Sequence, residues 1–177
     1  GAHAEDGPYL GAVYPLLPGR RRFWGLVLRT VDSGGTVGQL RTQLRVVHEA
    51  NRDVGRQPLG TVVAADVLYD QLRLPMIHSA LLSQEIDGRI QALDDGSEDG
   101  VLRRRVCTAI FLIDRLPSEV RIAEGLLTDP ESLADLLVED LVAGTDSLRQ
   151  RLPALVGDLV TRALLLWVAG AVHLRAP

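Results

Sequence analysis

The sequence predicts a mainly α-helical protein that ends in a small C-terminal β-hairpin. Three observations predict it. Apolar residues recur at steps of three and four through most of the 177-residue chain, the spacing of one helix face. Helix punctuation follows the same rhythm, at Gly34-Gly35, Pro75, Pro117, Asp129-Pro130 and Gly144. Only the last stretch breaks it: Leu164 to Val168 and Ala171 to Leu174 flank Ala169-Gly170, which reads as two short strands around a turn.

Composition narrows the function classes. Apolar residues make up 46% of the chain, enough for a packed core, and aromatics only 4%, so that core is aliphatic. All 19 basic residues are arginine, and the net charge is −4. The whole chain is therefore no electrostatic magnet for nucleic acid, although a local basic patch is compatible with it. Cys107 is the single cysteine, which excludes an internal disulfide or a cysteine zinc site and reads as a buried thiol. The longest apolar run, Ala163 to Val172, is too short for a membrane helix. A cytoplasmic protein without membrane contact is expected.

The elements follow in order. Gly1-Ala2-His3 is set aside as a tag remnant, and Ala4 to Pro18 reads as an extended lead-in, as expected of a piece excised from something longer. Pro18 to Asp32 is a helix burying Phe23, Trp24, Val27, Leu28 and Val31. Arg20, Arg21 and Arg22 crowd its first turn, where the helix dipole disfavours cations. They read as a solvated run or as a contact for an acidic partner. Gly34-Gly35-Thr36 is a turn with Thr36 as N-cap, a weak anion-cradle signal.

Thr36 to Arg52 is the next helix. Val37, Leu40, Leu44 and Val47 form its apolar stripe. Arg41, Arg45, His48 and Arg52 form a second stripe about a quarter turn away. Planar guanidinium groups bind phosphate or carboxylate, so that edge faces a nucleotide, an acidic partner or water. Ala64 or Ala65 to Leu72 is a further helix, Pro75 a break, and Met76 to Leu93 another helix. Residues 4–93 thus form one four-helix unit. The acidic run Asp94 to Gly100 is read as a linker, and residues 101–176 as a second unit.

In that unit Val101 to Leu116 is a helix stopped by Pro117. Thr128-Asp129-Pro130-Glu131 is a strong helix start, for a helix running to about Leu141. Ser147 to Arg162 is the third helix, kinked or divided by Pro153. Three helices and then a hairpin is the order of a winged helix. The third helix would hold the recognition position, where Arg149, Arg151 and Arg162 are candidates for DNA or partner contact. Asp146 and Asp158 on the same helix weigh against DNA.

Signs of catalysis are few. A chain without lysine cannot carry a complete phosphate-binding loop ending in Gly-Lys-Ser/Thr. His3, His48, His78 and His173 fall in different elements, so no metal site is expected. Glu49 beside His48 does not share its helix face. The chain alone is expected not to be an enzyme.

Three runs resemble one family: PLLPGRRRFWGLVLRTVDSGGTVGQLRTQLRVVHEANRDV, PLGTVVAADVLYDQL and LADLLVEDLVAGTDSLRQRLPAL. They are similar to the large P-loop ATPase of bacterial BREX phage-exclusion systems, known as BrxC or PglY. The resemblance spans about Tyr9 to Leu174. It implies that this chain is an internal piece of an AAA+-type ATPase acting in antiviral defence. Residues 4–93 would be its helical lid and residues 101–176 its winged helix. The P-loop and the acidic magnesium-binding motif would lie before residue 1. ATP and magnesium would belong to the full-length protein and no cofactor to this piece. Arg41, with Arg45 one turn on, would be the nucleotide-sensing arginine of the lid, although the initiator pattern sets that residue nearer Gly38. Partners would be the rest of the same chain, other BREX proteins and DNA, and the full-length protein would be a homo-oligomer. The alternative is a stand-alone winged-helix adaptor for DNA or protein.

Overall fold

A computed structural model describes residues 18–33, 52, 62–141, 144–162, 164–168 and 171–174. It is mainly helical. The described elements are α1 (Pro18–Ser33), α2 (Val67–His78), α3 (Gln84–Gln91), α4 (Glu98–Asp114), α5 (Ser118–Ala123), α6 (Pro130–Leu137), α7 (Thr145–Thr161), β1 (Leu165–Val168) and β2 (Ala171–Leu174).

Helix α4 is the centre. Every residue from Val106 to Ile113 is buried, so the C-terminal half of this helix is surrounded on all sides rather than lying on a surface. It packs against α2, α3, α6, α7 and β2. Phe111 meets Tyr69 of α2 edge to face, with ring centroids 5.7 Å apart. One buried apolar cluster runs from Phe23 and Trp24 of α1 to Leu165 of β1. Strands β1 and β2 pair antiparallel, Leu165 opposite Leu174 and Val168 opposite Ala171.

The N-terminal start of α4 differs from expectation. Asp94 and Asp95 accept the backbone N–H groups of Gly96 and Ser97, and Ser97 caps the helix by accepting from Gly100 N at 3.0 Å. Residues 98–100 are therefore the first turn of α4 rather than part of the linker. Gly100 is required there: a Cβ would stand 2.9 Å from the backbone nitrogen of Asp95.

Other boundaries moved too. Pro75 does not end α2, which continues to His78. It falls near the helix end, where a missing N–H removes only one intrahelical bond. The break comes at Ala80, whose φ is +59°, and Ser83 then caps α3. Helix α6 starts at the expected place, with Asp129 accepting from Glu131 N and Ser132 N. It ends at Leu137 rather than Leu141 because Val138 adopts ψ 133° and leaves the helix. Leu141 is exposed rather than inward. Pro153 sits within an unbroken α7. Helix α5 was not expected.

Candidate functional site

The two nucleotide-sensing candidates, Arg41 and Arg45, lie outside the described residues, as do His48, Glu49 and Gly38. The three α7 candidates are described, and each lies in an ion pair. Arg149 Nη2 is 2.9 Å from Asp135 of α6. Arg151 Nη2 is 2.6 Å from Asp99, in the first turn of α4, and its Nη1 is 3.7 Å from Glu98. Arg162 Nε is 2.9 Å from Asp158 one turn earlier. Asp158 also accepts from Arg103 of α4 at 3.1 Å. The Arg162 hydrogen bond holds the Asp158 carboxyl below its usual range. The structure thus places these arginines along one helix, but it turns them toward carboxylates of the same chain.

A second set of arginines lies inside the molecule. Arg20 of α1 is 2% exposed. Its Nη1 donates to Val63 O at 2.7 Å and its Nη2 to Asp135 O at 2.9 Å. Burial pulls its guanidinium down to about 10, against the opposing pull of Asp66. Arg105 of α4 donates from Nε to Asp66 at 2.9 Å and from Nη2 to Leu137 O at 2.6 Å, and Glu139 lies 3.2 Å away. Burial works most strongly against its charge too, but Asp66 and Glu139 together outweigh it and the net shift is upward. Backbone bonds from Val62 N to Glu139 O and from Ala65 N to Leu136 O hold the same place. Arg20 and Arg105 therefore clasp α1, the 62–66 segment and the end of α6 into one joint.

Sequence reasoning missed this joint. It read Arg20 with Arg21 and Arg22 as solvated or partner-facing. The signal was present. Arg20, Trp24, Val27 and Val31 are spaced four, three and four apart, so Arg20 continues the apolar stripe. Arg105 stands four residues before Ala109 on the buried side of α4. Asp66, also buried, carried no periodic mark.

A third polar centre lies around Asp87 of α3, which is 4% exposed. It accepts from Arg73 Nε at 2.7 Å, Arg73 Nη2 at 2.7 Å and Tyr69 OH at 3.0 Å. The Arg73 hydrogen bonds hold its carboxyl below the usual range despite burial. Burial, with Asp87 beside it, pushes the Tyr69 hydroxyl well above its ordinary value. At the other end of α4, Asp114 accepts from Arg121 at 3.2 Å and lies 2.7 Å from His173 Nδ1 of β2. That contact pins the hairpin to α4. Asp114 also lines a cleft of about 220 Å³ with Thr30, Val31, Met76, Leu81 and Arg115.

No group of three or more metal-ligating side chains converges among the described residues. Cys107 is buried and free, and burial pushes its thiol up to about 12, a setting that disfavours thiolate chemistry. Among the described residues no helix is long and apolar enough to cross a membrane. Compared with protein-family models, with curated proteins and with solved structures, the chain shows no match. The resemblance to the BREX ATPases therefore rests on the three runs quoted above.

Proposed function

We propose that this chain is a non-catalytic module of a larger phage-defence ATPase of the BREX type, the lid that closes over nucleotide joined to a winged-helix docking unit. The observation that carries the reading is the order of its elements. A series of helices is followed by an antiparallel hairpin packed on α4 and α7, the order expected of a lid and then a wing. The arginine clasp adds a mechanical argument. It joins α1 to α6 across the sequence, so closure driven at one end moves the hairpin end with it. Nucleotide, magnesium and the P-loop belong, in this reading, to sequence outside these residues. Arg41 and Arg45 would contact the developing phosphate charge, which a preorganised cation stabilises more in the transition state than in the ground state.

The test has two arms. The 177-residue chain is expected to show no magnesium-dependent ATP turnover, and turnover would overturn the reading. In the protein encoded by the full gene, Arg41→Ala is expected to lower turnover by about a hundredfold without lowering the unfolding midpoint. Unchanged turnover removes Arg41 from the site, and a gene with no P-loop upstream removes the ATPase reading altogether. The adaptor alternative places the work on α7, but the pairing of Arg149, Arg151 and Arg162 with carboxylates favours a protein contact there over DNA.

A further inference from the structure

Helix α1 has two unlike faces. With 100° between successive residues, Arg20, Phe23, Trp24, Val27, Leu28 and Val31 occupy the side that is buried. Arg21, Arg22, Gly25 and Arg29 occupy a stripe about 100° wide on the opposite side. Arg21 and Arg29 are exposed. Among the described residues neither has an ion-pair or hydrogen-bond partner, whereas the three α7 arginines all do. Arg22 is 3.9 Å from Glu124. Pro18 to Val31 contains no acidic residue, and Asp32 follows in the last turn.

The stripe is also crowded. The Arg29 guanidinium lies back toward Gly25, 3.8 Å from where a Cβ would stand. Long helical side chains lean toward the helix N-terminus in this way. Three guanidinium groups are thereby drawn into about two turns of helix, and two of them, Arg21 and Arg22, stand at the first turn, where the helix dipole disfavours cations. Among the described residues Arg21 and Arg29 have no partner to offset this repulsion, and an external polyanion would.

We propose that the Arg21–Arg29 stripe docks the phosphate backbone of a nucleic-acid duplex. Guanidinium forks pair with phosphate bidentately, and phosphates recur at short, regular spacing along a duplex. A single strand fits less well, because strand binding uses exposed aromatic platforms, and Phe23, Trp24, Tyr69 and Phe111 are all buried. The inference rests on α1 alone and stands whether or not the chain belongs to an ATPase. It places nucleic-acid contact on α1 and not on α7.

The test is fluorescence anisotropy of the full chain with a labelled mixed-sequence duplex of about 20 base pairs, titrated from low to moderate salt. Wild type is expected to bind with affinity that falls steeply with salt. Arg21→Gln with Arg29→Gln should flatten the logarithmic salt slope by about two, with an unchanged circular dichroism melt. Arg149→Gln with Arg151→Gln should leave the slope unaltered. No duplex binding by wild type, an unchanged slope in the α1 variant, or an equal loss in the α7 variant would each overturn the proposal. So would tighter binding of a polyglutamate peptide, which would make the occupant an acidic protein. ATP turnover is read separately, so failure here is distinguishable from failure of the lid reading.

Discussion

The clasp at Arg20 and Arg105 and the pairs along α7 use the same side chain for opposite ends. Arg20 is 2% exposed and spends its donors on backbone carbonyls of two distant segments. The Arg149, Arg151 and Arg162 side chains are 45%, 38% and 53% exposed and meet carboxylates at the rim. Water screens the second set, so each such pair contributes roughly 0–1 kcal/mol. Within the first set, loss of one partner strands polar groups in a dry interior, which costs about 3–5 kcal/mol. The lesson is that an arginine-rich sequence is not one electrostatic surface. Burial divides its arginines into joints, rim pairs and, at Arg21 and Arg29, exposed cations with no partner among the described residues.

Breaking the joint should give the largest effect. Arg20→Ala is expected to destabilise by about 3 kcal/mol or more, since the Val63 and Asp135 carbonyls lose their donors; urea denaturation measures it. Asp87→Ala should cost about 2 kcal/mol, because the Tyr69 hydroxyl loses its acceptor while the 39%-exposed Arg73 side chain regains water. Arg149→Ala and Arg151→Ala should each change stability by no more than about 0.5 kcal/mol, and by less in high salt.

Acid titration sharpens the same contrast. The Arg73 hydrogen bonds hold Asp87 below its usual 3.8. A carboxyl depressed in the fold stabilises above its unfolded value and loses that contribution as pH falls through the folded one. Wild type should therefore lose stability as pH drops below about 4. Asp87→Asn should lose less over that range. Equal acid slopes would show that Asp87 carries none of the pH dependence.

Much of the architecture was legible because helices announce themselves twice, in apolar spacing and in caps. Pro18 and the Asp129-Pro130 pair mark the starts of α1 and α6 in sequence and in structure alike. Helix α5 was not legible. It has six residues and none of them is buried, so it leaves no apolar stripe. Pro75 misled because a proline near a helix C-terminus costs little, and the true stop at Ala80 needed a backbone angle that sequence does not display. Arg149 and Arg151 were singled out, but not their partners: Asp135 and Asp99 lie 14 and 52 residues away, beyond any local pattern. The clasp was overlooked for a chemical reason, since a charged residue on an apolar stripe is easily assigned to solvent.

The most direct test is a side-by-side denaturation of Arg20→Met and Arg151→Met, which keep most of the aliphatic stem and remove the guanidinium. A loss of about 3 kcal/mol for the first and under about 0.5 kcal/mol for the second is the expected result. Equal losses, or a larger one at Arg151, would contradict the division between joint and rim.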